Sequence, residues 1–156
     1  MRIEPAELEE IEAIADLWVR LAVGQRAFGS HLASEANRTR IEESMGHYAA
    51  EGNLLVARED DTLLGFAMFS IEQRLYVADE TRGLVHNLFV VPEKRGEGIG
   101  SALLEEAERA LQEDGAAVIG IEVLAENEDA RRFYDERGYR PHRVELEKRV
   151  ETDNTP

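Results

Sequence analysis

Three glycines in five residues, Gly96, Gly98 and Gly100, follow Arg95 and lead into a helical run. Glycine carries no Cβ, so backbone N–H groups there can come close to a ligand. A helix start adds unpaired N–H groups and the positive end of its dipole, which together suit a phosphate or pyrophosphate. Arg95 adds a full charge, so Arg95, Gly96, Glu97, Gly98, Ile99, Gly100 and Ser101 form a candidate anion cradle. Three side chains elsewhere can move protons. Tyr134 has a hydroxyl that stays protonated at neutral pH and can give its proton away. Glu122 offers a carboxylate within an apolar run, and His86 an imidazole that titrates near neutrality. Each has a plainer reading: a tight turn, a packed aromatic, an exposed strand charge and a hydrogen-bonded strand histidine. His31, His47 and His142 lack metal-like spacing, and no metal site is expected.

Two phosphate-binding patterns fit poorly. A P-loop needs Gly-Lys-Ser or Gly-Lys-Thr at the helix start, and Gly100 is followed by Ser101 with no lysine. A dinucleotide fingerprint needs glycine where Ser101 stands, although Glu122 lies near the ribose-binding distance. That fold also wants several crossover units, and the pattern here predicts one.

The elements that must position these residues follow from periodicity. Residues 1–5 read as extended. Leu8, Ile11, Ile14, Ala15, Trp18, Leu21 and Ala22 recur at helical spacing, with Trp18 expected in the core. Residues 24–37 read as a loop or broken helix, and 38–50 as a second helix. Strands are expected at 54–57 and 63–77, paired as a hairpin with turns at 60–61 and 79–83. Residues 84–91 form a nearly continuous apolar strand that Pro92 ends. A helix from 99 stops at Gly115, and 117–124 is another buried strand. That strand–helix–strand unit implies a parallel pair with a right-handed crossover. Asn127 or Glu126 caps a last helix through 137, and alternation over 143–150 predicts a closing strand. The expected fold is α/β: a mixed, mainly antiparallel sheet flanked by helices on both faces, with one parallel pair carrying the crevice. Residues 1–150 read as one domain and 151–156 as a frayed tail.

Composition narrows the partners. Hydrophobic residues at 43% and charged residues at 33% describe a globular chain. No apolar run is long enough for a membrane span, and residues 1–10 are acidic rather than signal-like. Cysteine is absent, which excludes disulfides and fits a cytoplasmic location. Asp and Glu number 33 against 18 Lys and Arg, a net charge of −15. Such an excess disfavours nucleic acid as a partner. It fits a halophilic protein, kept in solution at high salt by its charge, and equally an ordinary acidic one.

Residues 88–101 resemble the acyl-CoA-binding motif of the GCN5-related N-acetyltransferase (GNAT) family. That motif reads Arg or Gln, any, any, Gly, any, Gly or Ala, met here by Arg95, Gly98 and Gly100. Asn127, Ala130, Phe133 and Tyr134, followed by Gly138 and Tyr139, resemble the family's next motif at matched spacing. The likeness is close over residues 84–140. The resemblance implies an acetyl-CoA-dependent N-acetyltransferase in which a primary amine attacks the thioester directly. Backbone N–H groups of 95–101 would hold the CoA pyrophosphate. Leu88, Phe89 and Val90 would pair with the pantetheine arm as an added strand does. The N–H near Val90 would steady the oxyanion, Asn127 would touch the cofactor, and Tyr134 would protonate the departing thiolate. Glu122 or His86 would take the proton of the attacking amine, or an ordered water would. Many family members carry a carboxylate near positions 86 and 87, and this chain has none there. The acceptor, a small-molecule or peptide amine, would meet the N-terminal half around residues 25–47. The last strand would be an edge able to pair with a second copy as a homodimer. A non-catalytic acyl-CoA-sensing module and a dinucleotide-binding enzyme are the competing readings.

Overall fold

The computed structural model describes residues 1–150; the tail 151–156 lies outside the described residues. The elements in chain order are β1 (Arg2–Pro5), α1 (Ile11–Gln25), α2 (Arg38–Ala50), β2 (Leu54–Glu59), β3 (Thr62–Ile71), β4 (Arg82–Val90), α3 (Ile99–Glu113), β5 (Val118–Ile121) and α4 (Glu128–Asp135). The five strands form one sheet in sequence order. All neighbours are antiparallel except β4 and β5, which are parallel. This is the expected mixed architecture. Two short helical turns, Arg26–Phe28 and Glu35–Asn37, lie in the segment read as a loop or broken helix.

Each face of the sheet carries its own apolar layer. Ile14, Ala15, Trp18 and Ala22 of α1 and Met45 of α2 pack with Val56, Phe66, Met68 and Phe89. Leu103, Leu104, Ala107 and Leu111 of α3 pack with Ala57, Ala67, Phe69 and Val85 on the other side. Phe66 and Phe69 are fully buried. Burial of such a side chain contributes about 1.5–3 kcal/mol. Near the N-terminus Glu10 and Glu4 both pair with Arg58 of β2, and the Arg58 hydrogen bond holds Glu10 below the usual carboxylate range.

Two bulges decide which side chains face which layer. Pairing jumps from Ala57↔Gly65 to Arg58↔Leu63, so Leu64 is an extra residue in β3. Pairing also jumps from Met68↔Asn87 to Phe69↔Val85, so His86 is an extra residue in β4. Side chains alternate along a strand, so Val85 and Phe89 would share a face without that insertion. With it, Val85 joins the α3 layer and Phe89 the α1 layer. A bulge also kinks its strand and re-aims the inserted side chain.

Several expected boundaries change: β4 starts at Arg82 rather than 84, within the turn expected at 79–83, and α4 ends at Asp135 rather than 137. The strand expected over 63–77 ends at Ile71, because its partner β4 begins only at Arg82. Glu72 closes that hairpin by accepting from Arg82, and Leu75, Tyr76 and Val77 project into solvent. The strand expected over 117–124 is shortened to Val118–Ile121, because β4 kinks at His86. Residues 143–150 form no strand, despite their alternation, because no neighbouring backbone meets them to build a ladder. The edge on which a homodimer was expected is therefore not a strand in the protomer.

Candidate active site

The β4–β5 ladder ends at Val85↔Ile121, one residue before the bulge. From there β4 runs on to Val90 with β3 on one side only. Val91 donates its N–H to Leu64 O at 2.9 Å, so the odd-numbered residues above the bulge turn their backbone groups toward β3. Leu88 and Val90 consequently turn N–H and C=O to the open side, where no strand pairs with them and the Arg95 side chain reaches Val90 O. Phe89 sits differently. Its backbone faces β3 and its side chain is buried in the α1 layer.

The glycine-rich turn lies at the end of this edge. Gly96 and Gly98 both have φ +83°, a left-handed conformation that a Cβ disfavours. Gly98 is the N-cap of α3, and its carbonyl accepts from Ala102 at 3.1 Å. Among the described residues, no carbonyl accepts from the backbone N–H groups of 96–101. Six donors without a carbonyl acceptor and a helix N-terminus thus lie in one short turn, a composition that suits an anion. Glu97 is exposed, so it adds its N–H rather than its side chain to the turn. The Arg95 side chain folds back, donating from Nε to Val90 O at 3.0 Å and lying 5.5 Å over the Phe89 ring.

Arg137, which sequence reasoning passed over, also reaches the cradle. Its guanidinium donates to Ser101 Oγ, from Nε at 3.0 Å, and stacks 3.7 Å from the centroid of Phe133. The signal was faint, one arginine three residues after Tyr134. Phe133 in turn meets Gly100: a Cβ there would lie 3.5 Å from Phe133 Cζ and 3.7 Å from Val90 Cγ2. The cradle, the β4 edge and α4 therefore touch at one point.

Asn127 is the N-cap of α4, its side-chain oxygen accepting from the Ala130 N–H at 3.1 Å, and its NH2 makes no hydrogen bond among the described residues. Tyr134 packs edge-on against Phe133 (5.1 Å) and Tyr139 (5.7 Å). Burial pushes its phenol up to about 12, so at neutral pH it is a donor. His86 and Glu122 meet at the other part of the crevice. Extending the parallel register beyond Val85↔Ile121 brings Glu122 beside His86. His86 Nε2 lies 2.7 Å from Ser70 Oγ, and its ring packs edge-on with Tyr48 at 5.5 Å. Solvent reaches the ring through the crevice mouth. The surrounding protein lowers its pKa nonetheless, and the Glu122 charge partly opposes that shift. No hydrogen bond links Tyr134 to either residue among the described residues. The same residues contain no group of three or more His, Asp or Glu able to hold a metal. No helix among them is long and apolar enough to cross a membrane.

The acetyltransferase (GNAT) family model matches residues 18–139, from α1 to the end of the α4 segment. The chain belongs to the GNAT family. An uncharacterized N-acetyltransferase of Archaeoglobus fulgidus is 41% identical over 86 residues, 52% of this chain and 55% of that protein. The uncharacterized N-acetyltransferase YhfO of Bacillus subtilis is 27% identical over 89% of both chains. A mycothiol acetyltransferase of Brachybacterium faecium is 28% identical over 88% of this chain, which spans only 41% of that longer protein. Among solved structures, a GCN5-related N-acetyltransferase of Ralstonia eutropha superposes with a TM-score of 0.75 at 21% identity, covering 96% of this chain and 97% of its own. A predicted acetyltransferase of Clostridium acetobutylicum solved with acetyl-CoA superposes with a TM-score of 0.77 at 16% identity, covering 95% of each chain. At those identities the structural likeness speaks for the fold.

Proposed function

We propose that this GNAT protein transfers an acetyl group from acetyl-CoA to a primary amine by direct attack within a ternary complex. The observation that carries the reading is the unpaired β4 edge running straight into six unsatisfied N–H groups at 96–101. A diphosphate on an amide-bearing arm has the matching shape and hydrogen-bonding groups. Backbone groups of Leu88 and Val90 take the amide arm, and the N–H groups of 96–101 take the diphosphate. Arg137 adds positive charge beside Ser101, and Asn127 offers its free NH2.

The thioester carbonyl then lies at the far end of that arm, toward the bulge at His86, where an N–H of the open β4 edge stabilises charge building on its oxygen. The amine nitrogen bonds to the carbonyl carbon and the C–S bond breaks. Tyr134 Oη gives its proton to the leaving thiolate, which a phenol held at about 12 can do at neutral pH. The attacking nitrogen must lose a proton to His86. Its lowered pKa keeps the ring neutral and able to accept. Glu122 stabilises the imidazolium that forms. Holding both substrates together supplies much of the rate.

The test is thiol release from acetyl-CoA with a panel of amines: small metabolites, polyamines, aminoglycosides and peptides with free N-termini. Because relatives named mycothiol acetyltransferase match the chain, a mycothiol precursor amine belongs in the panel. Amine-dependent thiol release with one acceptor class is expected. Acetyl-CoA binding without release for any class would reject catalysis.

A further inference from the structure

Within residues 63–71 of β3 the only polar side chain is that of Ser70. Its Oγ lies 2.7 Å from His86 Nε2, a hydrogen bond between a hydroxyl and a ring nitrogen. Side chains alternate along a strand, so Ser70 faces the same layer as Met68, the one built by α1 and α2. Tyr48 of α2 packs on that face too, edge-on to the His86 ring at 5.5 Å. Ile119 and Ile121 face the α3 layer, so Glu122 shares the α1–α2 face with His86.

The place of the Ser70 hydroxyl decides how a proton can reach the ring. A nitrogen acceptor on imidazole has one lone pair, which lies in the ring plane and points outward. At Nε2 that direction holds Ser70 Oγ, so an amine cannot hydrogen-bond there as well. Nδ1 lies on the other edge of the ring. β3 and β5 flank β4 on opposite sides, and Glu122 follows the end of β5. The ring thus stands between a hydroxyl on the β3 side and a carboxylate on the β5 side. A carboxylate on the side away from Ser70 favours a proton on Nδ1. Nε2 is then the acceptor and the Ser70 O–H its donor, and the serine oxygen keeps lone pairs for a second donor.

We propose that Ser70 is the group that touches the acceptor amine: its oxygen takes the proton of the attacking nitrogen as its own hydroxyl proton passes to His86 Nε2. The nitrogen has by then bonded to the carbonyl carbon. Its N–H bond breaks and an O–H bond forms at Ser70, while the old O–H bond breaks and an N–H bond forms at Nε2. Serine ends unchanged, the ring is an imidazolium, and the nitrogen of the new amide is neutral. This assignment rests on the acetyl-transfer reading and specifies its proton route.

Ser70→Ala, His86→Asn and the double variant test it, with turnover and calorimetric acetyl-CoA affinity measured on each. Ser70→Ala should lower kcat by about 10²-fold, the lower range for general acid–base catalysis, with donor affinity unchanged. His86→Asn should cost a similar factor. The double variant should lose no more than the slower single variant, because residues that act as a unit are not additive. Losses that multiply overturn the proposal, since the two residues then act separately. So does full turnover in Ser70→Ala, or an acetyl group found on Ser70 by mass spectrometry, which makes the serine a nucleophile. Nitrogen-15 chemical shifts of His86 at about pH 8, where the ring is neutral, give a readout that needs no turnover. A protonated Nδ1 and a bare Nε2 are expected, and a proton on Nε2 rejects the relay. A wild type without amine-dependent thiol release removes the acetyl-transfer reading and this proton route with it, a result seen before any variant is made.

Discussion

Gly65 sits opposite Val90, and its replacement by alanine links the fold to the crevice most directly. A Cβ at Gly65 would overlap the carbonyl oxygen of Phe89 and lie 3.2 Å from Val90 Cα and 3.3 Å from Leu103 Cδ1. Two of those three atoms are backbone, so no rotamer change relieves the overlap. β3 and β4 must separate at the point where β4 presents its open edge. Overpacking of this kind costs about 1–3 kcal/mol, and a backbone obstacle places it at about 3. For a chain of this size each kcal/mol moves the midpoint by about 2–4 °C, so Gly65→Ala should melt about 6–12 °C below the wild type. Gly24 supplies the control. It lies within α1, and a Cβ there would meet nothing within 4 Å. Helix propensity alone then makes Gly24→Ala more stable by about 1 kcal/mol, a rise of about 2–4 °C. Calorimetry of the two variants, with acetyl-CoA titrated into each, is the assay. Gly65→Ala should also bind acetyl-CoA more weakly because Val90 moves, and Gly24→Ala should not. Wild-type stability and affinity in Gly65→Ala would refute the reasoning.

Other expectations follow from the same geometry. Tyr134→Phe should lower kcat by about 10²–10⁴ while calorimetric acetyl-CoA affinity holds, whereas a non-catalytic sensor would be indifferent. His86 is held below its ordinary 6.5 by burial, with Glu122 opposing. The acid limb of kcat/KM should therefore fall below pH 6.5, and Glu122→Gln should move it lower still; a limb that moves up, or stays, contradicts the pairing. The same depression means that His86 contributes stability above pH 6.5 that is lost as pH falls through its folded value. Denaturant midpoints across that window should show the loss, and His86→Asn should remove it. Finally, a net charge of −15 predicts that thermal unfolding rises steadily between dilute buffer and molar potassium chloride. A flat series would leave the acidic composition without a role in salt tolerance.

Much of the fold was legible because periodicity and punctuation agree in this chain. α2 spans Arg38–Ala50 as its pattern predicts, and Pro92, Gly98 and Gly115 mark boundaries in the way their backbone chemistry dictates. The cradle was legible for the same reason, since glycine spacing before a helix is a local signal. The bulges were not. Residues 84–91 read as one nearly continuous apolar strand interrupted by the polar His86 and Asn87, and only the pairing with Phe69 and Met68 reveals that His86 is inserted. The turn of Phe89 toward the α1 layer, and the exposure of Leu88 and Val90 backbone groups, both follow from that hidden residue. Arg137 escaped because its role depends on Ser101, 36 positions away. The segment 143–150 misled because alternation measures readiness to pair and says nothing of where a partner stands.

The central claim is that the open β4 edge and the 96–101 amides form one binding surface for acetyl-CoA. A crystal structure of the chain soaked with acetyl-CoA tests it most directly. The account predicts the diphosphate within hydrogen-bonding distance of those amides, the pantetheine amides paired with Leu88 and Val90, and the thioester between Tyr134 and His86. A ligand whose diphosphate lies elsewhere, or whose arm leaves the β4 edge unpaired, would contradict it.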